Sequence, residues 1–152
     1  MYNRIAASII LLIGMLLLNP QIHAQTVQTG TLVFKTDGFN NNKGKAEILL
    51  FRKTDKVPDN PFKRSASIIR NKQSIITFPD LAYGDYAAIL VHDENSNGKI
   101  DHSFGLPAEQ LGYTNNWTLG VFTGMPSFSK LKFSFAANMQ SVPVSITYKK
   151  GK

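Results

Sequence analysis

The segment His92-Asp93-Glu94-Asn95-Ser96-Asn97-Gly98-Lys99-Ile100-Asp101 carries an oxygen-bearing side chain at Asp93, Asn95 and Asn97, and again at Asp101. Oxygens at every second position let a tight loop wrap one hard cation. Gly98 permits the sharp turn, the Lys99 carbonyl adds a ligand, and Asp101 binds directly or through water. Calcium takes roughly six to eight oxygens, and this segment supplies about five. In a helix–loop–helix calcium site the twelfth position is a bidentate glutamate; here it is Phe104, and the flanks read as strand and loop. The segment is therefore at most a calcium loop of that type within a β protein, one that would bind no tighter than ~10⁻⁴–10⁻³ M. The same residue types are ordinary turn formers, because Asn and Asp side chains cap backbone groups and tolerate left-handed conformations. A metal-free structured turn is the competing expectation.

A second group follows at Glu109, Tyr113, Asn115, Asn116 and Trp117. Residues 92–127 read as one long loop, and connections beyond ~12–15 residues without structure of their own tend to be functional. Aromatic rings beside amides suit contact with a sugar or peptide. The plainer alternative is that these rings fold down onto the sheet, since exposed aromatic surface is costly unless used. His92, Asp93, Asp101 and Glu109 can also be drawn as a hydrolytic cluster with His92 as base. A lone histidine at a strand end otherwise packs or caps. No nucleophile elbow, paired-histidine zinc motif or phosphate loop is present, and no residue is assigned a catalytic role. The absence of cysteine excludes disulfides, thiol nucleophiles and cysteine-based metal sites.

The elements that must hold these residues are strands. Leu131, Phe133 and Phe135 alternate with Lys132 and Ser134, and Val142, Val144, Ile146 and Tyr148 alternate with Pro143, Ser145 and Thr147. A period of two sends one set inward and the other to solvent. Ala46 to Leu50 reads likewise; 31–35, 74–78 and 86–91 are β-branched or aromatic runs of strand length, with 65–70 and 118–122 as weaker candidates. Pro143 lacks an N–H, which predicts an edge for the last strand. Residues 54–63, with Pro58 and Pro61, read as a loop. About seven short strands predict an all-β, antiparallel β-sandwich, immunoglobulin-like or transthyretin-like. Leu81, Gly84 and Tyr86 predict a corner in which a tyrosine hydroxyl ties back to upstream backbone. Transthyretin-like hydrolases are the nearest enzymatic analogy, but their histidine and C-terminal tetrapeptide motifs are missing here.

Arg4, the uncharged run 5–18, Asn19-Pro20 and Ala24 have the layout of a secretory signal peptide at 1–24, cut after Ala24. The run is shorter than the ~20 residues a spanning helix needs. A single β-sandwich domain over 25–152 is then expected in the periplasm, on the outer surface or outside the cell, with no transmembrane segment after cleavage. Lys and Arg number 17 against 10 Asp and Glu, a net charge of +7. Residues 80–109 reverse this, holding Asp80, Asp85, Asp93, Glu94, Asp101 and Glu109 against Lys99 alone. The lysines are not interleaved with stacking aromatics, which argues against nucleic acid. A solvated basic face, or one held to an anionic envelope surface, accounts for the excess.

The string 92–101, followed by Gly105-Leu106-Pro107-Ala108-Glu109 and Gly112-Tyr113-Thr114-Asn115-Asn116, resembles the secreted bacterial family catalogued as domain of unknown function 2141. Leu81, Gly84, Tyr86 and Ala87 upstream and 125–128 downstream fit the same pattern. Ser96 stands where the family usually has glycine and Ala108 where it usually has lysine, and the stretch between Asp101 and Gly105 is one residue shorter. The resemblance implies an exported β-sandwich and no known reaction. Together these features predict an exported noncatalytic module that binds a peptide, glycan or envelope partner, its 93–101 loop ordered by calcium. A hydrolase and a basic surface-associated protein are the alternatives.

Overall fold

The computed structural model describes residues 26–103, 106–120 and 122–148. The leader expected at 1–24, Phe104, Gly105 and the basic tail from Lys149 lie outside the described residues. The chain forms β1 (Thr29–Asp37), β2 (Lys45–Phe51), β3 (Lys63–Ile68), β4 (Ser74–Ala82) and β5 (Gly84–Asp93). Then come the short β6 (His102–Ser103), β7 (Leu106–Pro107) and β8 (Gln110–Tyr113), a single helical turn α1 (Phe128–Leu131), β9 (Phe133–Phe135) and β10 (Gln140–Tyr148). The main sheet runs β3-β2-β5-β8-β10-β1-β4, with β9 added beside β5. The Arg70–Gln73 bridge joins the two end strands, so the path is nearly closed and barrel-like. The all-β expectation holds.

Strand β5 explains how one sheet carries two apolar layers. Tyr86, Ala88 and Leu90 face the interior with Phe34, Leu50 and Ile146. Ala87, Ile89 and Val91 face the other way, with Leu49, Leu111 and Tyr113, and Leu131 of α1 packs on top. A strand covered on both faces reads as a continuous apolar run rather than an alternation, as 86–91 does. Each large side chain so buried contributes about 1.5–3 kcal/mol. The tyrosine corner is present: the Tyr86 hydroxyl donates to the Ala82 carbonyl at 2.8 Å.

Four local expectations are corrected. First, β1 and β10 pair in parallel, Leu32 opposite Gln140, so the sheet is mixed rather than wholly antiparallel. Second, β10 lies inside the sheet and not at its edge. Proline is tolerated there because β8 pairs only with Ile146 and Tyr148, leaving Pro143 opposite Lys35 with no β8 residue across from it. Third, Lys130 and Leu131 belong to α1, and residues 118–120 and 122 form no strand. Fourth, the 92–127 connection is not structureless, because it contains β8, a central strand. A Cβ at Gly112 would land on the Ser145 carbonyl, so only glycine lets β8 approach β10 so closely.

Candidate functional site

The 93–101 loop leaves the end of β5 and closes on itself. Asp93, only 3% exposed, accepts the Asn97 N–H through Oδ1 at 3.1 Å and the Gly98 N–H through Oδ2 at 2.8 Å. Asn95 Oδ1 accepts from Asn97 N–H at 3.0 Å, and Asn97 Oδ1 from Lys99 N–H at 2.8 Å. Both side-chain amides donate to Asp101, Asn95 at 2.8 Å and Asn97 at 3.0 Å. Ser96 (φ 58°) and Gly98 (φ 71°) take left-handed conformations that turn the chain so tightly. The four side chains drawn from sequence, Asp93, Asn95, Asn97 and Asp101, are thus brought together, with Lys99 exposed on the same turn. Among the described residues no three histidine or carboxylate side chains form a ready-made metal cluster. Amide and carbonyl oxygens would have to supply the remainder of any site.

Glu109 belongs with this loop rather than with the aromatic group. The β5–β8 ladder pairs Val91 with Leu111 and His92 with Gln110. The ladder ends there: Asp93 closes β5 and Glu109 precedes β8, each one residue beyond that last pair. The Ala108 N–H donates to the Asp101 carbonyl at 2.7 Å and ties the start of β8 to the loop's exit. Glu109 is 9% exposed, and neither of its buried carboxyl oxygens has a hydrogen-bond partner. Burial pushes this carboxyl up to about 7, and the charges of Asp93 and Asp101 add to the effect. The Asp101 backbone N–H offsets part of it without meeting hydrogen-bond geometry.

The other expected ligand-binding residues lie on and around the outer apolar layer. Tyr113 is buried and meets Trp117 edge-on at 4.7 Å, and both pack on the outer apolar layer. Lys130 Nζ lies 5.6 Å from the Trp117 ring. Asn115 and Asn116 form an exposed turn of positive φ, with the Asn115 amide donating to the Lys130 carbonyl at 3.0 Å. The aromatics are therefore folded down on the sheet. His92 is fully buried on the interior side. Its Nε2 lies 2.9 Å from the Lys43 carbonyl and its Nδ1 3.1 Å from Gln110 Oε1. With both ring nitrogens engaged and no exposure, it cannot reach an external substrate as a base.

What sequence reasoning missed is a hollow of about 620 Å³ on the outer face. Leu49, Ile89, Leu111 and Tyr113 form its floor; Pro58, Pro61, Leu119, Met125 and Pro126 come from the loops around it. Gly98, Lys99 and Ile100 bring the 93–101 loop into its wall. Arg64 also lines it and holds that wall: its guanidinium clasps Glu47 at 2.7 and 2.9 Å and donates to the Gly98 carbonyl at 2.7 Å. The available signal was the clustering of prolines in loops that flank apolar strands.

A family model described as an uncharacterized protein conserved in bacteria, domain of unknown function 2141, matches residues 35–143. The chain belongs to this family. The matched span of the domain of unknown function 2141 reaches from β1 to β10 and takes in the loop, Glu109 and every residue lining the hollow. No curated protein and no solved structure matches the chain. Among the described residues no helix is long and apolar enough to cross a membrane, which leaves strands out of account.

Proposed function

We propose that this member of the domain of unknown function 2141 is an exported, noncatalytic binding module. Its outer-face hollow seats an apolar side chain of a peptide partner, and its 93–101 loop, ordered by calcium, forms one wall. The observation that carries this reading is the hollow itself. Its size falls within the ~300–1,000 Å³ usual for ligand sites, and its lining is mostly apolar, with a few polar groups at hand to orient a ligand. An apolar floor favours an apolar anchor over a glycan, whose hydroxyls would lose their water without gaining partners. Export rests on the layout of 1–24. The burial of His92 speaks against the hydrolytic alternative.

The test uses the fluorescent probe anilinonaphthalene sulfonate. Saturable binding is expected, displaced by short peptides containing Phe or Leu and not by maltotriose. Leu119→Asp, a half-buried wall position, is expected to abolish it with the melting temperature unchanged. Undiminished binding by that variant, or displacement by the sugar alone, would overturn the reading. Cell fractionation with mass measurement of the processed chain tests export: a cytosolic chain that keeps residues 1–24 refutes it.

A further inference from the structure

We propose that Glu109 reaches across from its place just before β8 to complete a calcium site with Asp93, Asn95, Asn97, the Lys99 carbonyl and Asp101. This rests on the reading of 93–101 as a calcium loop and supplies the ligand that loop lacks.

Glu109 is the observation that demands a ligand. A buried carboxylate without hydrogen bonds is costly, and native structures rarely contain one unexplained. Here both oxygens are buried and unpartnered in a residue 9% exposed. Like charges held near one another out of water repel, yet Glu109 stands one residue past the His92–Gln110 pair, as does Asp93, itself 3% exposed. A divalent cation between them turns that repulsion into coordination.

The ligand count points the same way. The loop alone offers about five oxygens, and a bidentate glutamate brings the total to about seven, within the roughly six to eight calcium takes. In a helix–loop–helix site that glutamate comes from the loop's own twelfth position. Here it comes from the residue just before β8, whose neighbour Ala108 donates to the Asp101 carbonyl. The amide oxygens of Asn95 and Asn97 each accept one backbone N–H and keep a second lone pair, as do both oxygens of Asp93. An all-oxygen set of this number suits calcium. Magnesium demands a tighter octahedron and keeps its waters, and zinc favours nitrogen or sulfur, whereas His92 is hydrogen-bonded on the interior side.

The experiment is thermal melting of the protein in chelator, in millimolar calcium and in millimolar magnesium, for the parent and for Glu109→Gln. Calcium is expected to raise the parent's melting temperature by roughly 5 °C, with magnesium giving less than half of that. Glu109→Gln is expected to lose the calcium response while melting no lower than the parent in chelator, because it removes a buried charge. An equal calcium response in both proteins overturns the role of Glu109 and leaves the loop reading standing. No response in the parent overturns both. Should Glu109→Gln not fold, Glu109→Asp keeps the charge one methylene short. A calcium response weakened at least several-fold in apparent affinity is then expected, and an unchanged one refutes the assignment.

Discussion

Asp93 closes β5 and Glu109 stands just before β8, each one residue beyond the His92–Gln110 pair, and both are buried. The paired rows of side chains that lead toward them begin in the floor of the hollow: Ile89 and Val91 on β5, Tyr113 and Leu111 on β8. The loop that starts at Asp93 also lines the apolar hollow, through Gly98, Lys99 and Ile100. Whatever orders the loop also shapes the wall of the hollow.

The metal-free protein should lose stability as pH rises. The Glu109 carboxyl sits at about 7 in the folded chain against 4.5 for the free side chain. Between those values the folded state holds the proton more often than the unfolded state, so stability falls with increasing pH. Denaturation midpoints in chelator are expected to drop from pH 5 to pH 8 by an equivalent of about 1–3 kcal/mol, since each tenfold difference in proton affinity between the two states is worth ~1.4 kcal/mol. Glu109→Gln should flatten that decline. A parent profile that rises over the same range contradicts the assignment.

Thr114→Val is expected to cost about 1–3 kcal/mol despite its matched shape. The Thr114 hydroxyl is buried, accepts the Ala88 N–H at 3.0 Å and donates to the Leu131 carbonyl at 2.6 Å. Valine strands both backbone groups and frees α1 from the sheet. Urea titration should show a lower midpoint at unchanged slope, and Thr114→Ser should recover most of the loss.

Arg64→Ala is expected to loosen the loop as well as the pair it breaks. Glu47 is left buried with its bidentate partner gone, and the Gly98 carbonyl loses a donor. A loss of about 1–2 kcal/mol follows, since the arginine is partly exposed. Amide exchange at 97–99 should quicken by more than that at β2. Uniform quickening would mean that Arg64 does not support the loop.

Gly112→Ala is expected to destabilise by about 2–3 kcal/mol through a methyl group forced onto the Ser145 carbonyl. Nuclear magnetic resonance should locate the disturbance at the β8–β10 ladder while the β2–β5 ladder keeps its contacts.

The strands that pack on one face with regular alternation are legible in the sequence, as Val142, Val144 and Ile146 show. So are β5, as an apolar run, and the turn chemistry of Asn95, Asn97 and Gly98. Strand β8 is not. Its four residues include a glycine, and what makes Gln110-Leu111-Gly112-Tyr113 a strand is the backbone on either side, β5 along all four residues and β10 at Leu111 and Gly112. Leu131 fits a strand and a helical turn equally well, because one buried side chain satisfies either period. Glu109 stands out in the sequence in two groupings, one with Tyr113 and the amides that follow it and one with His92, Asp93 and Asp101. The chain order does not choose between them; the β5–β8 ladder does, because its last pair, His92–Gln110, adjoins both Asp93 and Glu109.

The parallel pairing of β1 with β10 has a consequence for how the molecule comes into being. Leu32 lies opposite Gln140, so one flank of the first strand waits for the last. Until then β1 has β4 on one side and a bare row of backbone donors and acceptors on the other. Contacts so distant along the chain form late and slow the final closure. During synthesis this protein therefore carries an open strand edge through nearly its whole length, and a chain cut short of Gln140 would keep that edge for good, a template for sticking to its own copies.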